Sequence, residues 1–167
     1  MEQDARVALI RQPVATRRIE EGGLDDARVA ALLSAHVTQA RAQTARGSAH
    51  ALDLDALKHP AIRFWTLWQD DAPVAVAALR KLDATHGEVK SMHTAAPARG
   101  SGAGSAILAH LIAEAKAAGL LRLSLETGSW DYFAPARAFY RRHGFADCEP
   151  FAEYRADPNS VFMTRML

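Results

Sequence analysis

The apolar positions fall into stretches of different period along the chain. Residues 7–12 form a short apolar run that reads as a first strand, broken by Glu21-Gly22-Gly23. Val29, Leu32, Leu33, His36, Val37 and Ala40 then recur at the 3.6-residue period of one buried helix face. Asp25 and Asp26 stand where that helix opens, and Gly47 marks its end. A second, short helix is predicted over residues 53–59, with Asp53 as its N-cap and Pro60 as its stop. Residues 62–69 and 74–79, apolar and rich in β-branched and aromatic side chains, flank Asp70-Asp71-Ala72-Pro73 and so read as a hairpin. His86-Gly87 supplies another turn, and residues 88–94 give a third strand.

The second half alternates helix and strand. A glycine-rich turn over residues 99–104 leads into Ile107, Leu108, Leu111, Ile112 and Ala115, the buried stripe of a helix closed by Gly119. Leu121, Leu123 and Leu125 alternate with polar residues in a strand over 120–126. Pro135 stands in the first turn of a helix that runs to His143 and ends at Gly144, and strands near residues 146–151 and 161–167 finish the chain. This order predicts a single mixed α/β domain over residues 1–167, with a mostly antiparallel sheet, one parallel crossover at the glycine turn, and flanking helices.

Composition narrows the function. A chain of 167 residues with 49% hydrophobic and 23% charged residues suits one soluble domain with its own core. Twenty Lys and Arg against 19 Asp and Glu leave a formal charge of +1, so neither nucleic acid nor an anionic membrane is an expected partner. No signal peptide and no apolar run of roughly 20 residues is readable, and the single cysteine, Cys148, suits a reducing compartment, so a cytoplasmic location is expected. The seven histidines show no H-x-x-x-H pair, and no metal is expected. His36 reads as a core histidine inside an apolar stripe, whereas His50, between the first two helices, is placed to reach an acceptor pocket. Trp65 and Trp68 fall on opposite faces of one strand, which assigns one to the core and leaves Trp68 as a candidate pocket residue.

The turn Arg99-Gly100-Ser101-Gly102-Ala103-Gly104-Ser105 sits between a strand and a helix, where unpaired N–H groups and the helix dipole together bind phosphate. A Walker A loop would need a Lys after its last glycine, and there is none. A G-x-G-x-x-G fingerprint fails at Ser105 in one register and at Ile107 in the other, although Glu126 lies near the offset of a ribose-binding acid. The pattern Arg-x-x-Gly-x-Gly is complete at Arg99, Gly102 and Gly104. A second pattern, Ala-x-x-x-Tyr-x-x-x-Gly-Phe, is complete at Ala136, Tyr140, Gly144 and Phe145.

Through these two motifs, in this order, the chain resembles the GNAT acetyltransferase superfamily from about residue 73 to residue 167. The resemblance implies acetyl-coenzyme A as co-substrate, with its pyrophosphate on Arg99, Gly100, Ser101, Gly102, Ala103, Gly104 and Ser105. It implies a pantetheine arm held by the backbone of Met92, His93 and Thr94. It also implies direct transfer of acetyl to a primary amine, expected to belong to a small molecule. An alkylamine is almost wholly protonated at neutral pH, so a base is useful, and Glu88, 11 residues before Arg99, is the candidate. Tyr140 is the candidate acid for the departing thiolate. The competing reading of Glu88 is a surface ion pair with Lys90. Phe133 stands where the family often has Asn, and Ala96 where it usually has Pro. A non-catalytic acyl-coenzyme A or nucleotide-binding regulator stays open as the alternative, as does a homodimer joined through the final strands.

Overall fold

The computed structural model describes residues 14–48 and 51–167. In chain order its elements are β1 (Arg17–Glu21), α1 (Ala27–Ala42), β2 (Ile62–Gln69), β3 (Ala72–Lys81), β4 (His86–Thr94), α2 (Ala103–Ala117), β5 (Arg122–Gly128), α3 (Ala134–Arg142), β6 (Ala146–Cys148) and β7 (Ser160–Met166). The strands form one sheet in the order β1-β2-β3-β4-β5-β7-β6. Every pairing is antiparallel except β4 with β5, whose crossover runs through α2. This is the mixed, mostly antiparallel architecture that the element order predicts.

Alternation along the strands builds a core on each face. Trp65, Leu67, Ala75, Ala77, Leu79, Val89, Leu123 and Leu125 meet Ile107, Leu108 and Leu111 of α2 and Tyr140 of α3 on one side. Phe64, Trp68, Val76 and Ala78 meet Val29 and Leu33 of α1 and Leu57 on the other. Both tryptophans are therefore core residues, one per face. The β2–β3 turn is the tight two-residue kind, with Asp70 and Asp71 at φ 49° and 70°. Asp26 caps α1 by accepting the Arg28 N–H at 2.8 Å, and Gly119, at φ 81°, follows the C-cap of α2.

Several boundaries differ from the pattern reading. The strand expected over residues 7–12 lies outside the described residues, and an unexpected strand is found at Arg17–Glu21. Its sequence, RRIEE, offers one apolar side chain because, among the described residues, it is an edge strand paired only with β2. Helix α1 ends at Ala42, short of Gly47, and residues 53–59 form only a 3-10 turn at Ala56–Lys58, in which Asp53 accepts the Ala56 N–H at 3.0 Å. His86 and Gly87 belong to β4 itself, and β5 begins and ends two residues later than expected.

The β4–β5 contact positions everything that follows. Its register covers only His86, Glu88 and the glycine between them, against Arg122 to Ser124. Beyond Glu88 the strands part. Ser91 sits at φ 50°, a left-handed conformation uncommon for a non-glycine residue, at the irregularity where the β3–β4 register slips between Val76 and Ala78. The extra residue bends β4 away from β5 and opens the sheet at its centre. A β-branched side chain is strained at such a φ, so Ser91→Val is expected to lower unfolding free energy by about 1–3 kcal/mol, read from the urea midpoint. An unchanged midpoint would mean that the bulge moves freely.

Candidate active site

The gap between β4 and β5 is the floor of a cleft of about 640 Å³. Its walls come from α1 on one side and from the start of α2 and α3 on the other. Glu88, Met92, His93, Thr94, Arg99, Gly100, Gly102, Gly104, Ser105 and Tyr140 all line it, so residues far apart in sequence share one space. Ser101 and Ala103 do not line it: Ala103 is fully buried in the core and Ser101 turns toward β1. His50 lies outside the described residues. Trp68, expected at a pocket, is 5% exposed within the second core, under the guanidinium groups of Arg18 and Arg28.

At the glycine turn, Gly100 and Gly102 adopt φ 75° and 84°, conformations that glycine enters without steric cost. Gly102 is the N-cap of α2, and the first helical N–H bond is from Ala106 to the Gly102 carbonyl at 3.0 Å. The N–H groups of residues 102–105 thus lack helical partners, which is the arrangement that receives an anion. Gly104 is the point of closest approach: a Cβ there would stand 3.3 Å from Thr94 Oγ1 and 3.5 Å from the Phe139 ring. The Ser105 hydroxyl donates to His143 Nε2 at 3.1 Å, since Nδ1 of that ring donates to the Phe139 carbonyl. This bond fastens the start of α2 to the end of α3.

Glu88 is not a surface residue. It is 1% exposed, and its Oε1 accepts hydrogen bonds from Lys90 Nζ at 3.1 Å and from the Tyr154 hydroxyl at 2.5 Å. Lys90 Nζ also donates to Tyr154 Oη at 2.7 Å, closing a three-membered cluster. Glu88 Oε2 makes no hydrogen bond among the described residues, with Arg80 Nη1 at 3.8 Å. Burial, reinforced by the Glu88 carboxylate, pushes the Tyr154 phenol up, so it stays a donor. Tyr154 was missed in the sequence because it sits in an irregular segment 66 residues from Glu88, with no motif around it.

Tyr140 is 8% exposed between Phe139 and Phe145, and burial pushes its phenol up. Phe133, in the position where Asn was expected, lies flat on Gly128, where no side chain would fit beneath the ring. It lines the cleft as an apolar wall. His36 also lines the cleft, half-buried, with its ring 4.8 Å from that of His93, so it is a wall residue and not a core histidine. The far rim is laced by polar contacts: Ser48 Oγ donates to Asp157 Oδ2 at 2.6 Å, Trp130 Nε1 to Asn159 Oδ1 at 2.9 Å, and Tyr132 Oη to Gln39 Oε1 at 3.1 Å.

An antiparallel sheet parted at its one parallel pair, with an anion-ready turn at the cleft, is the build of a GNAT-type acyltransferase. Residues 29–145 match the model of the Acetyltransferase (GNAT) family, and the chain belongs to that family. It is 46% identical to the uncharacterized N-acetyltransferase YsnE of Bacillus subtilis over 139 residues, which cover 83% of this chain and 92% of that protein. It is 42% identical to a protein named IAA acetyltransferase from Azospirillum brasilense, over 72% of this chain and 78% of that one. Among solved structures, an acyl-CoA N-acyltransferase from Klebsiella pneumoniae superposes with a TM-score of 0.73 at 26% identity, covering 90% of this chain and 97% of that one. The fold is shared with an N-acetylglutamate synthase from Neisseria gonorrhoeae, solved with coenzyme A and N-acetyl-glutamate, at TM-score 0.70 and 22% identity over 92% of this chain and 36% of that one.

Burial, with His36 and Arg99 beside it, holds His93 down to about 4. An unfolded histidine titrates near 6.5, so between those values the unfolded chain binds a proton that the native protein refuses. Stability therefore falls as pH drops from about 6.5 toward 4. His93→Gln is expected to make that fall shallower in urea titrations at stepped pH. An identical slope in the two proteins would contradict the assignment.

Proposed function

We propose that this protein transfers an acetyl group from acetyl-coenzyme A directly to the primary amine of a small molecule. The observation that carries the reading is that Glu88, Tyr140 and, at the start of α2, Gly102, Gly104 and Ser105 line one cleft. The residues present fit the cofactor: glycines at the turn leave the backbone bare, and Gly104 lets α2 approach Thr94 and Phe139 closely. The small-molecule assignment is supported by the polar ties from α1 and the segment after it to the loops on the far rim, which narrow access to the acceptor side.

Acetyl-coenzyme A supplies a thioester whose carbonyl carbon is the electrophile. Gly102, Gly104 and Ser105 hold its pyrophosphate through their N–H groups, aided by the α2 dipole. The backbone of Met92, His93 and Thr94, freed from β5 where the strands part, binds the pantetheine arm and polarises the carbonyl. Glu88 takes the proton that the amine releases as the C–N bond forms. Lys90 and Tyr154 occupy Oε1 and fix the carboxylate, leaving Oε2 with spare acceptor capacity. Tyr140 donates a hydrogen bond to the sulfur as the C–S bond breaks. Its burial keeps the phenol protonated across the physiological range and makes it a weaker acid than a free phenol, so stabilising the thiolate by donation comes before any full proton transfer.

Glu88→Gln is expected to slow turnover more than it weakens cofactor binding, with the deficit greatest at low pH and recovering at high pH, where the acceptor is already neutral. Stability should also fall, because Lys90, with its side chain 7% exposed, loses its counter-charge. Thiol release measured from pH 6 to 9 well below the melting temperature separates the two effects, and wild-type rates throughout would remove Glu88 as base. Tyr140→Phe keeps the ring contacts and is expected to leave coenzyme A affinity intact while slowing single-turnover acetylation by about 10²-fold or more. An unchanged chemical step would make Tyr140 a packing residue.

A further inference from the structure

We infer that Arg17, on the edge strand β1, is a positioning residue for the cofactor pyrophosphate, acting through the peptide that joins Ser101 to Gly102. This role rests on the acetyl-coenzyme A reading above. Arg17 Nη2 donates to the Ser101 carbonyl at 3.1 Å and to Ser101 Oγ at 2.9 Å, bridging 84 residues of sequence. The guanidinium is itself held in place, because Nε donates at 2.8 Å to Oε1 of Gln69, its register partner on β2. Nη1 lies 3.8 Å from the point where a Gly102 Cβ would stand.

The turn needs such a hold. Gly100 and Gly102 both have positive φ, and nothing lies within 4 Å of the Cβ position of Gly100. Glycines without packing neighbours retain many conformations, and fixing each residue costs roughly 1–2 kcal/mol of backbone entropy at binding unless it is fixed beforehand. Within the turn, Ser101 Oγ donates to the Ala98 carbonyl, a local bond that does not orient the next peptide.

The direction of the effect follows from peptide geometry. A trans peptide is planar, with its C=O and N–H pointing to opposite sides, and the described residues contain no cis bond. Tying the Ser101 carbonyl to Arg17 therefore aims the Gly102 N–H away from β1. Gly102 lines the cleft, whereas Ser101 and Arg17 do not, so the far side of that peptide is the pyrophosphate side. Arg17 acts from behind the turn, touching no ligand, and sets the first of the four N–H groups at the start of α2 before the anion arrives. No motif marks it, because it lies outside the region that carries the family patterns.

Calorimetric titration of coenzyme A and of pantetheine, which lacks the pyrophosphate, into the full chain tests this role. Arg17→Gln is expected to weaken coenzyme A binding about five- to ten-fold, the effect of losing one or two hydrogen bonds that orient a binding group, while pantetheine affinity stays the same. Arg17→Lys keeps the charge but loses the Nε donor whose bond to Gln69 holds the group in place while Nη2 reaches Ser101, and is expected to behave like Arg17→Gln. Unchanged coenzyme A affinity in Arg17→Gln, an equal loss for pantetheine, or full affinity in Arg17→Lys would each overturn the latch. Failure of the unsubstituted protein to bind coenzyme A would be a different result, overturning the cofactor reading and this role with it.

Discussion

The short β4–β5 contact is the constraint on which the site depends. A parallel pair that stays in register along its whole length leaves no opening, and every backbone group in it is satisfied by its neighbour. Here the register stops at Glu88 and Ser124, and the left-handed Ser91 turns β4 outward. The polar backbone released by that departure lines the cleft. The same departure brings Glu88, at the last shared position, to the head of the cleft, and lets the glycine turn and Tyr140 reach it from one face while α1 walls the other.

The surroundings are arranged to hold that opening rather than to fill it. Glu88, Lys90 and Tyr154 bury two opposite charges and a phenol in mutual hydrogen bonds, an arrangement that contributes little net stability but is costly to break by removing one partner. It favours a single placement of the carboxylate. His143 ties α2 to α3 through Ser105, and Arg17 ties β1 to the turn through Ser101, so both sides of the glycine segment are anchored from outside it. On the opposite wall, Ser48, Asp157 and Asn159 join the segment after α1 to the loop before β7. Aromatic faces complete the lining: Phe133 lies over Gly128, and the rings of His36 and His93 lie side by side.

Local signals were readable in the chain wherever one segment carries its own information. The glycines at 100, 102 and 104, Pro135 in the first turn of α3, the acids Asp25 and Asp26 at the opening of α1 and the alternating leucines of β5 each report local geometry, and they mark helices and strands; the structure adds that Asp26 is the cap itself. Glu88 and Tyr140 were singled out by the two family motifs and their spacing; the structure adds that both line the cleft. What sequence does not show are contacts between distant segments. Tyr154 is an aromatic residue in an irregular loop until it meets Glu88, and Arg17 is one charge in a polar strand until it meets Ser101. Strand β1 was hidden because an edge strand needs few apolar residues, and the bulge at Ser91 because a positive φ carries no signature in a serine. Trp68 failed as a pocket residue for the complementary reason, since β2 is buried on both faces and alternation there does not separate core from cleft.

The crystal structure of the complex with coenzyme A is the measurement that tests the account most directly. It should show pyrophosphate oxygens within hydrogen-bond distance of the N–H groups of Gly102, Gly104 and Ser105, the pantetheine arm along residues 92–94 of β4, and the sulfur at the parting of β4 and β5 within reach of the Tyr140 hydroxyl. Coenzyme A bound with its pyrophosphate away from the glycine turn, or with its sulfur outside the gap between the two strands, would contradict it.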